Sequence, residues 1–63
     1  AYLKGDRVEA KSDVVRPDIT IKKGSRGVVT ADSSSLAATA RVKFSVDRKL
    51  PFRVVPKSKL KKL

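Results

Sequence analysis

The side chains of this sequence that can do chemistry are mostly basic. Sixteen Lys and Arg residues stand against six Asp and Glu residues, which gives the 63-residue chain a formal net charge of +10. A domain this basic attracts polyanions and acidic protein surfaces, most strongly at low ionic strength. The composition therefore predicts a negatively charged partner.

The usual catalytic groups are missing. The chain has neither His nor Cys, and the serines at 33–35 have no base beside them to activate a hydroxyl. Carboxylates alone are an improbable ligand set for zinc. We interpret the carboxylates as partners of nearby cations or as caps of turns, and we expect neither an enzyme nor a cofactor. The carboxylates are scattered along the chain at Asp6, Glu9, Asp13, Asp18, Asp32 and Asp47.

Short-period alternation of apolar and polar residues predicts strands rather than helices. For residues 36–42 the alternative is a helix, although a helix of seven residues is marginal. Pro17 and its polar neighbours predict a long loop over residues 13–23, anchored by Ile19 and Ile21. Strands are expected at residues 7–11, 28–31, 40–46 and 50–55, and residues 59–63 form either a fifth strand or a frayed basic tail.

The three aromatic residues are too few for some known recognition surfaces. Phe44 shares the parity of its apolar strand neighbours and Phe52 that of Leu50 and Val54, so both rings are expected in the core. Only Tyr2 is expected to be free. One free ring makes neither the aromatic platform that binds polyproline nor a methyl-lysine cage.

The order of these segments resembles an SH3-like barrel. The stretches "KGDRVEAK", "IKKGSRGVV", "ARVKF" and "RVVPKSKLKKL" are similar to the successive strands of that fold. The resemblance implies an all-β, five-stranded small barrel with a long first loop and a basic C-terminal end. Closure would leave no exposed sheet edges. Residues 1–63 are expected to form a single domain, and the lack of Met indicates a chain processed or excised from a longer one.

Parity also predicts where the positive charge lies. Arg41 and Lys43 are expected on the outer face of their strand, and Arg53 has the outward parity on the next, so the three cations would share one face. Further basic groups are a turn with Lys22, Lys23 and Arg26, the pair Arg48 and Lys49, and the tail residues Lys57, Lys59, Lys61 and Lys62.

A second resemblance suggests what this charge binds. The pattern Gly-x-x-Gly-x-Val after a basic run is similar to the KOW element of ribosomal and transcription-elongation barrels, whose turn lies against RNA. This resemblance implies RNA-backbone contacts by Lys22, Lys23, Gly24, Arg26 and Gly27. The chain lacks the long basic extensions of those proteins and the aromatics that stack on single strands. We therefore expect RNA or DNA backbone binding without sequence specificity.

Two other functions remain open. The strand pattern also resembles the small SH3-like subunits of photosynthetic complexes, which implies that Arg41, Lys43 and Arg53 steer an acidic protein such as ferredoxin. The third possibility is a structural module of a larger protein. No apolar run approaches the roughly 20 residues of a membrane span, and the start has no signal-peptide core. We expect no membrane or small-molecule partner and an intracellular or organellar location.

Overall fold

The computed structural model of the protein describes residues 1–63. The fold consists of β-strands apart from one 3-10 helix, Lys57–Lys59, so the predicted all-β class is confirmed. No helix in it is long and apolar enough to span a membrane. The strands are β1 (Arg7–Ala10), β2 (Val14–Val15), β3 (Thr20–Ile21), β4 (Arg26–Val29), β5 (Thr39–Phe44), β6 (Arg53–Pro56) and β7 (Leu60–Lys62).

Five of the strands form one antiparallel sheet in the order β6–β5–β4–β1–β7. The sheet curls around the apolar side chains as a half-barrel. The C-terminal segment is a strand of this sheet and not a frayed tail, because β7 pairs with β1 and places Leu60 opposite Ala10. Leu60 is buried among the core residues. The basic end of the chain is thereby fixed to the first strand.

The segment predicted as a long loop contains a second, two-stranded sheet. Strands β2 and β3 pair antiparallel, with Val14 opposite Ile21, and both side chains are fully buried. Ile19 packs against the core from the turn between them. The two expected anchors, Ile19 and Ile21, are therefore confirmed, but they belong to a hairpin.

Several strand boundaries differ from the prediction. Strand β4 begins at Arg26, two residues before the predicted start, and β5 ends at Phe44, so Val46 lies in a turn and is exposed. No helix forms over 36–42, most of which belongs to β5 and the loop before it. The fourth predicted strand is displaced toward the C-terminus, since β6 begins only at Arg53.

The aromatic residues divide differently from the prediction. Phe44 is fully buried, as expected from its parity with Val42. Phe52 precedes β6 and is only partly buried, so its expected core position is wrong. Tyr2, expected to be free, is also partly buried and packs against the core. No aromatic ring of the chain is freely exposed.

Gly24 and Gly27, which follow the basic residues Lys22 and Lys23, are required for different reasons. Gly24 has φ +92°, a conformation that turns require and that favours glycine. Gly27 lies inside β4, where a Cβ would stand 2.7 Å from the carbonyl oxygen of Lys43 and 2.9 Å from Cγ1 of Val42. Close approach of β5, and not turn geometry, therefore requires glycine at position 27.

Candidate functional site

The outer face of the five-stranded sheet is basic. Buried and exposed residues alternate along β1, β4 and β5, so every second side chain points away from the core. Glu9 is the only carboxylate among these outward residues. We call this surface the sheet face and define it by five cations: Arg7, Arg26, Arg41, Lys43 and Lys61.

The strand register places apolar and basic side chains alternately across the sheet face. Val28 lies opposite Arg7 on one side and opposite Lys43 on the other. Leu63 continues the row beyond Arg7, because its backbone N–H donates to the Arg7 carbonyl at 2.9 Å. Neighbouring members of the row are about 4.8 Å apart, the spacing between strands.

A groove of about 390 Å³ lies over the centre of this row. Val28 is 42% exposed and Leu63 is 54% exposed, so both present apolar surface to the groove. Arg7, Arg26 and Lys43 line the groove beside these apolar side chains, together with Gly27 and Ser45. The groove therefore combines exposed apolar side chains with three cations.

The cations of the sheet face differ in whether their side chains already contact other groups of the protein. Nζ of Lys43 donates to the carbonyl oxygens of Asp47 and Leu50, which fixes the loop between β5 and β6. The guanidinium of Arg41 lies 5.0 Å from the centroid of the Phe52 ring, a cation–π arrangement that holds it in place while it remains exposed. Arg7 and Arg26 belong to none of the three ion pairs in the structure.

Arg53, predicted to share this face, points the opposite way. Its side chain is 7% exposed, and its guanidinium binds two carboxylates. Nε donates to Asp47, while the two terminal nitrogens donate to Asp18 at 3.0 and 2.9 Å. The predicted outward position of Arg53 is therefore wrong, and we call the group of Arg53, Asp18 and Asp47 the inner triad.

Parity assigned the side chains of β6 to the wrong faces. Within β6, Arg53 and Val55 are buried, while Val54 is 50% exposed. Leu50 is also exposed rather than inward. Apolar residues at both parities in this stretch cannot distinguish the inner face from the outer one.

The inner triad shifts the pKa of each of its members. Hydrogen bonds from Arg53 hold the pKa values of Asp18 and Asp47 below the usual range, although burial opposes the shift. The hydrogen bonds to Asp18 and Asp47 raise the pKa of Arg53 in turn. All three groups are therefore charged at neutral pH, and together they carry one net negative charge.

The remaining aspartates cap turns and loops. Asp6 accepts a hydrogen bond from the N–H of Leu3 at 2.9 Å, which lowers its pKa, and it pairs with Lys62 at 3.2 Å. Asp13 accepts from the N–H of Lys23 at 2.8 Å, and Asp32 from that of Lys4 at 2.7 Å. The interpretation of carboxylates as caps and cation partners is confirmed for all five aspartates.

Two of the predicted turn cations lie at one end of the sheet. Lys22 and Lys23 are exposed beside Gly24, whose N–H donates to the Ala10 carbonyl at 2.9 Å. The N–H of Lys11 donates to the carbonyl of Lys59 at 2.8 Å, which brings another predicted residue to this end. We call this group the turn end: Lys11, Lys22, Lys23 and Lys59.

Lys57 belongs to neither surface. Its Nζ donates to the carbonyl oxygen of Ser34 and lies 5.4 Å from the centroid of the Tyr2 ring. Lys62 lies 5.5 Å from the same centroid. These contacts attach the N-terminal segment to the C-terminal strand, so we assign Lys57 a structural role.

Sequence reasoning missed four contributors to the sheet face. Arg7 has the outward parity of the first predicted strand, a signal that was sufficient to place it on this face but was not used. Lys61 was grouped only with a basic tail. Val28 and Leu63 gave no signal, because exposed apolar residues become meaningful only when the register places them between cations.

No group of three or more His, Cys, Asp or Glu side chains that could hold a metal ion occurs in the structure. No protein-family model, curated protein or solved structure matches this chain.

Proposed function

We propose that this chain is a non-catalytic, SH3-like module that binds the phosphate backbone of a nucleic acid, most naturally RNA, through the sheet face. One observation carries the proposal: five cations share a surface with a single carboxylate, while every aspartate of the chain is bound elsewhere. Phosphates that bind there would displace counterions, so affinity should fall steeply with salt.

The spacing of the cations suits a repeating anion. Arg41 and Lys43 are two residues apart on one strand, about 6.7 Å along its axis. Arg26 is a diagonal neighbour of Arg7 and of Lys43, at about 7–8 Å. A flexible polyphosphate chain can therefore contact several of these side chains at once. Such contacts position a polymer without reading its sequence.

The turn end supports the same function. Glu9 lies opposite both Arg26 and Lys61, and the next residue, Ala10, accepts the hydrogen bond from Gly24. The turn end is therefore continuous with the sheet face at the row of Lys61 and Arg26. This continuity is consistent with the KOW-like pattern, in which the glycine turn lies beside the nucleic acid.

A titration with a labelled 12-nucleotide RNA at two salt concentrations tests the proposal. The variant Arg26→Glu/Arg41→Glu should abolish binding, because both side chains are exposed on the sheet face and hold no loop. Lys43 is left intact, since its ammonium supports the loop between β5 and β6. The matched control Lys4→Glu/Arg48→Glu makes the same change in net charge away from the sheet-face strands and should keep most of the affinity.

Equal losses in the two variants would mean that only net charge matters and would remove the sheet face from the proposal. Weak binding of the wild-type protein to RNA and DNA, together with tight binding to an acidic protein such as ferredoxin, would overturn nucleic-acid binding. The chain would then be a docking module that uses the same cations.

A further inference from the structure

Apolar side chains interrupt the cations of the sheet face, and a phosphate backbone does not use them. Val28, Val54 and Leu63 are each between 42% and 54% exposed on this side of the sheet. Val28 stands between Arg7 and Lys43 in the register, so any polymer held by these two cations must cover it. The ligand should therefore present apolar surface between its charges.

The groove over Val28 has the size of a small-molecule site. Its volume of about 390 Å³ lies within the roughly 300–1,000 Å³ of ligand pockets. Its lining includes the apolar side chains of Val28 and Leu63 and three cations. It combines an apolar contact area with charges that an anionic ligand requires.

We infer that this groove takes one base of a single-stranded nucleic acid while the sheet face holds the flanking phosphates. The inference rests on the proposed function and names its substrate class. A duplex keeps the faces of its bases stacked inside and exposes only their edges in the grooves, whereas a single strand can turn the face of a base toward Val28. Burial of that base removes apolar surface from water.

Arginine can supply the stacking that exposed aromatics usually provide. Guanidinium planes stack on unpaired bases in single-stranded recognition. Arg7 and Arg26 line the groove and belong to no ion pair, so both are available for this contact. The same two side chains, about 7–8 Å apart, can alternatively bind the phosphates on either side of the base.

The groove has few hydrogen-bonding groups that distinguish one base from another. Ser45 supplies its only uncharged polar side chain, and the Ser45 hydroxyl already donates to the Arg26 carbonyl at 3.3 Å. Discrimination between bases needs a fixed set of hydrogen-bond donors and acceptors. We therefore expect a preference for single strands over duplexes, with little preference among bases.

Two changes test the inference, made singly and together: Val28→Thr in the protein, and an abasic strand in place of the RNA. Threonine keeps the β-branched shape of valine and replaces a methyl group by a hydroxyl. The ligands are a 12-nucleotide single-stranded RNA, its abasic sugar–phosphate counterpart and the matching duplex. Val54→Thr is the control, since Val54 is equally exposed but lies on β6 outside the groove.

Wild-type protein should bind the single strand at least fivefold more tightly than the abasic strand or the duplex, which is the lower limit of about 1 kcal/mol for one stacked base. Val28→Thr should lower the affinity for the single strand much more than that for the abasic strand, and so remove most of this difference. Equal binding of all three ligands, insensitive to Val28→Thr, would overturn the base site and leave backbone binding intact. Failure of every ligand to bind would overturn the proposed function itself.

Discussion

Two arginines on neighbouring strands of the same sheet have opposite roles. Arg53 on β6 is buried between Asp18 and Asp47, where it joins the β2–β3 hairpin to the loop after β5. Arg41 on β5 is exposed and is steadied only by the ring of Phe52. The first charge is neutralised to hold the fold, and the second remains available to a partner.

This difference shows that net charge alone does not tell which basic side chains are exposed and unpaired. All five aspartates accept hydrogen bonds in caps, loops or the inner triad, and none of them lies on the sheet face. Among the charged side chains of the sheet face, Glu9 is the only acid. The distribution of the acids therefore defines the site as much as that of the bases.

The largest effect is expected from Arg53→Met, which breaks the inner triad. Asp47 is 1% exposed and would lose its buried partner, and an unpaired buried carboxylate is strongly destabilising. We expect loss of the cooperative thermal transition or a large fall in the midpoint, measured by circular dichroism. Arg48→Met, a change of the same type at an exposed neighbour, should alter stability by no more than about 0.5 kcal/mol.

Arg53→Lys separates charge from geometry. A lysine keeps the positive charge but cannot present the planar fork that binds both carboxylates. It should therefore fall between wild type and Arg53→Met in stability. Equal stability of Arg53→Lys and wild type would show that the inner triad needs only a charge.

The next largest effect contrasts two leucines at the end of the chain. Leu60 is 2% exposed and belongs to the core, so Leu60→Ala should cost about 2–5 kcal/mol of unfolding free energy. Leu63→Ala, on the exposed side of the same segment, should cost about 0.5 kcal/mol or less. Urea unfolding measures both. Similar losses would mean that β7 does not close against β1 in solution.

A smaller effect is expected from acid. Because Asp18 and Asp47 have lowered pKa values in the folded state, the unfolded chain binds more protons below about pH 4, and stability must fall as pH falls through that range. Asp18→Asn should weaken this dependence while lowering stability at pH 7. Urea unfolding at pH 7 and pH 3 measures both changes. Glu9→Gln is the control for loss of one negative charge outside the triad, and an unchanged pH dependence in Asp18→Asn would contradict the prediction.

Local alternation was enough to predict much of the fold. It identified β1 and β5 and the buried ring of Phe44, because side chains of a strand alternate between faces with a fixed period. These features depend on residues close together in the sequence.

The site required contacts that local patterns do not contain. Arg53 is inward because Asp18, 35 positions earlier, folds over it. Arg7 and Lys61 share a surface only because β7 pairs with β1 across nearly the whole chain. Residues 50–52, just before β6, are apolar at both parities, so alternation does not tell which side chains face the core. The prediction failed here because long-range contacts decide the orientation.

The smallest effect separates the sheet face from the total charge. Arg41→Gln should reduce the slope of log affinity against log salt by about 0.7, the contribution of one phosphate contact on a single strand. Asp18→Asn should leave that slope unchanged, although it raises the net charge by one, because Asp18 lies in the β2–β3 hairpin beside Arg53 and not on the sheet face. If RNA binding followed net charge alone, the first variant would weaken it and the second would strengthen it by comparable amounts. Salt titrations of the two variants decide whether the partner is attracted by the whole molecule or by this one surface.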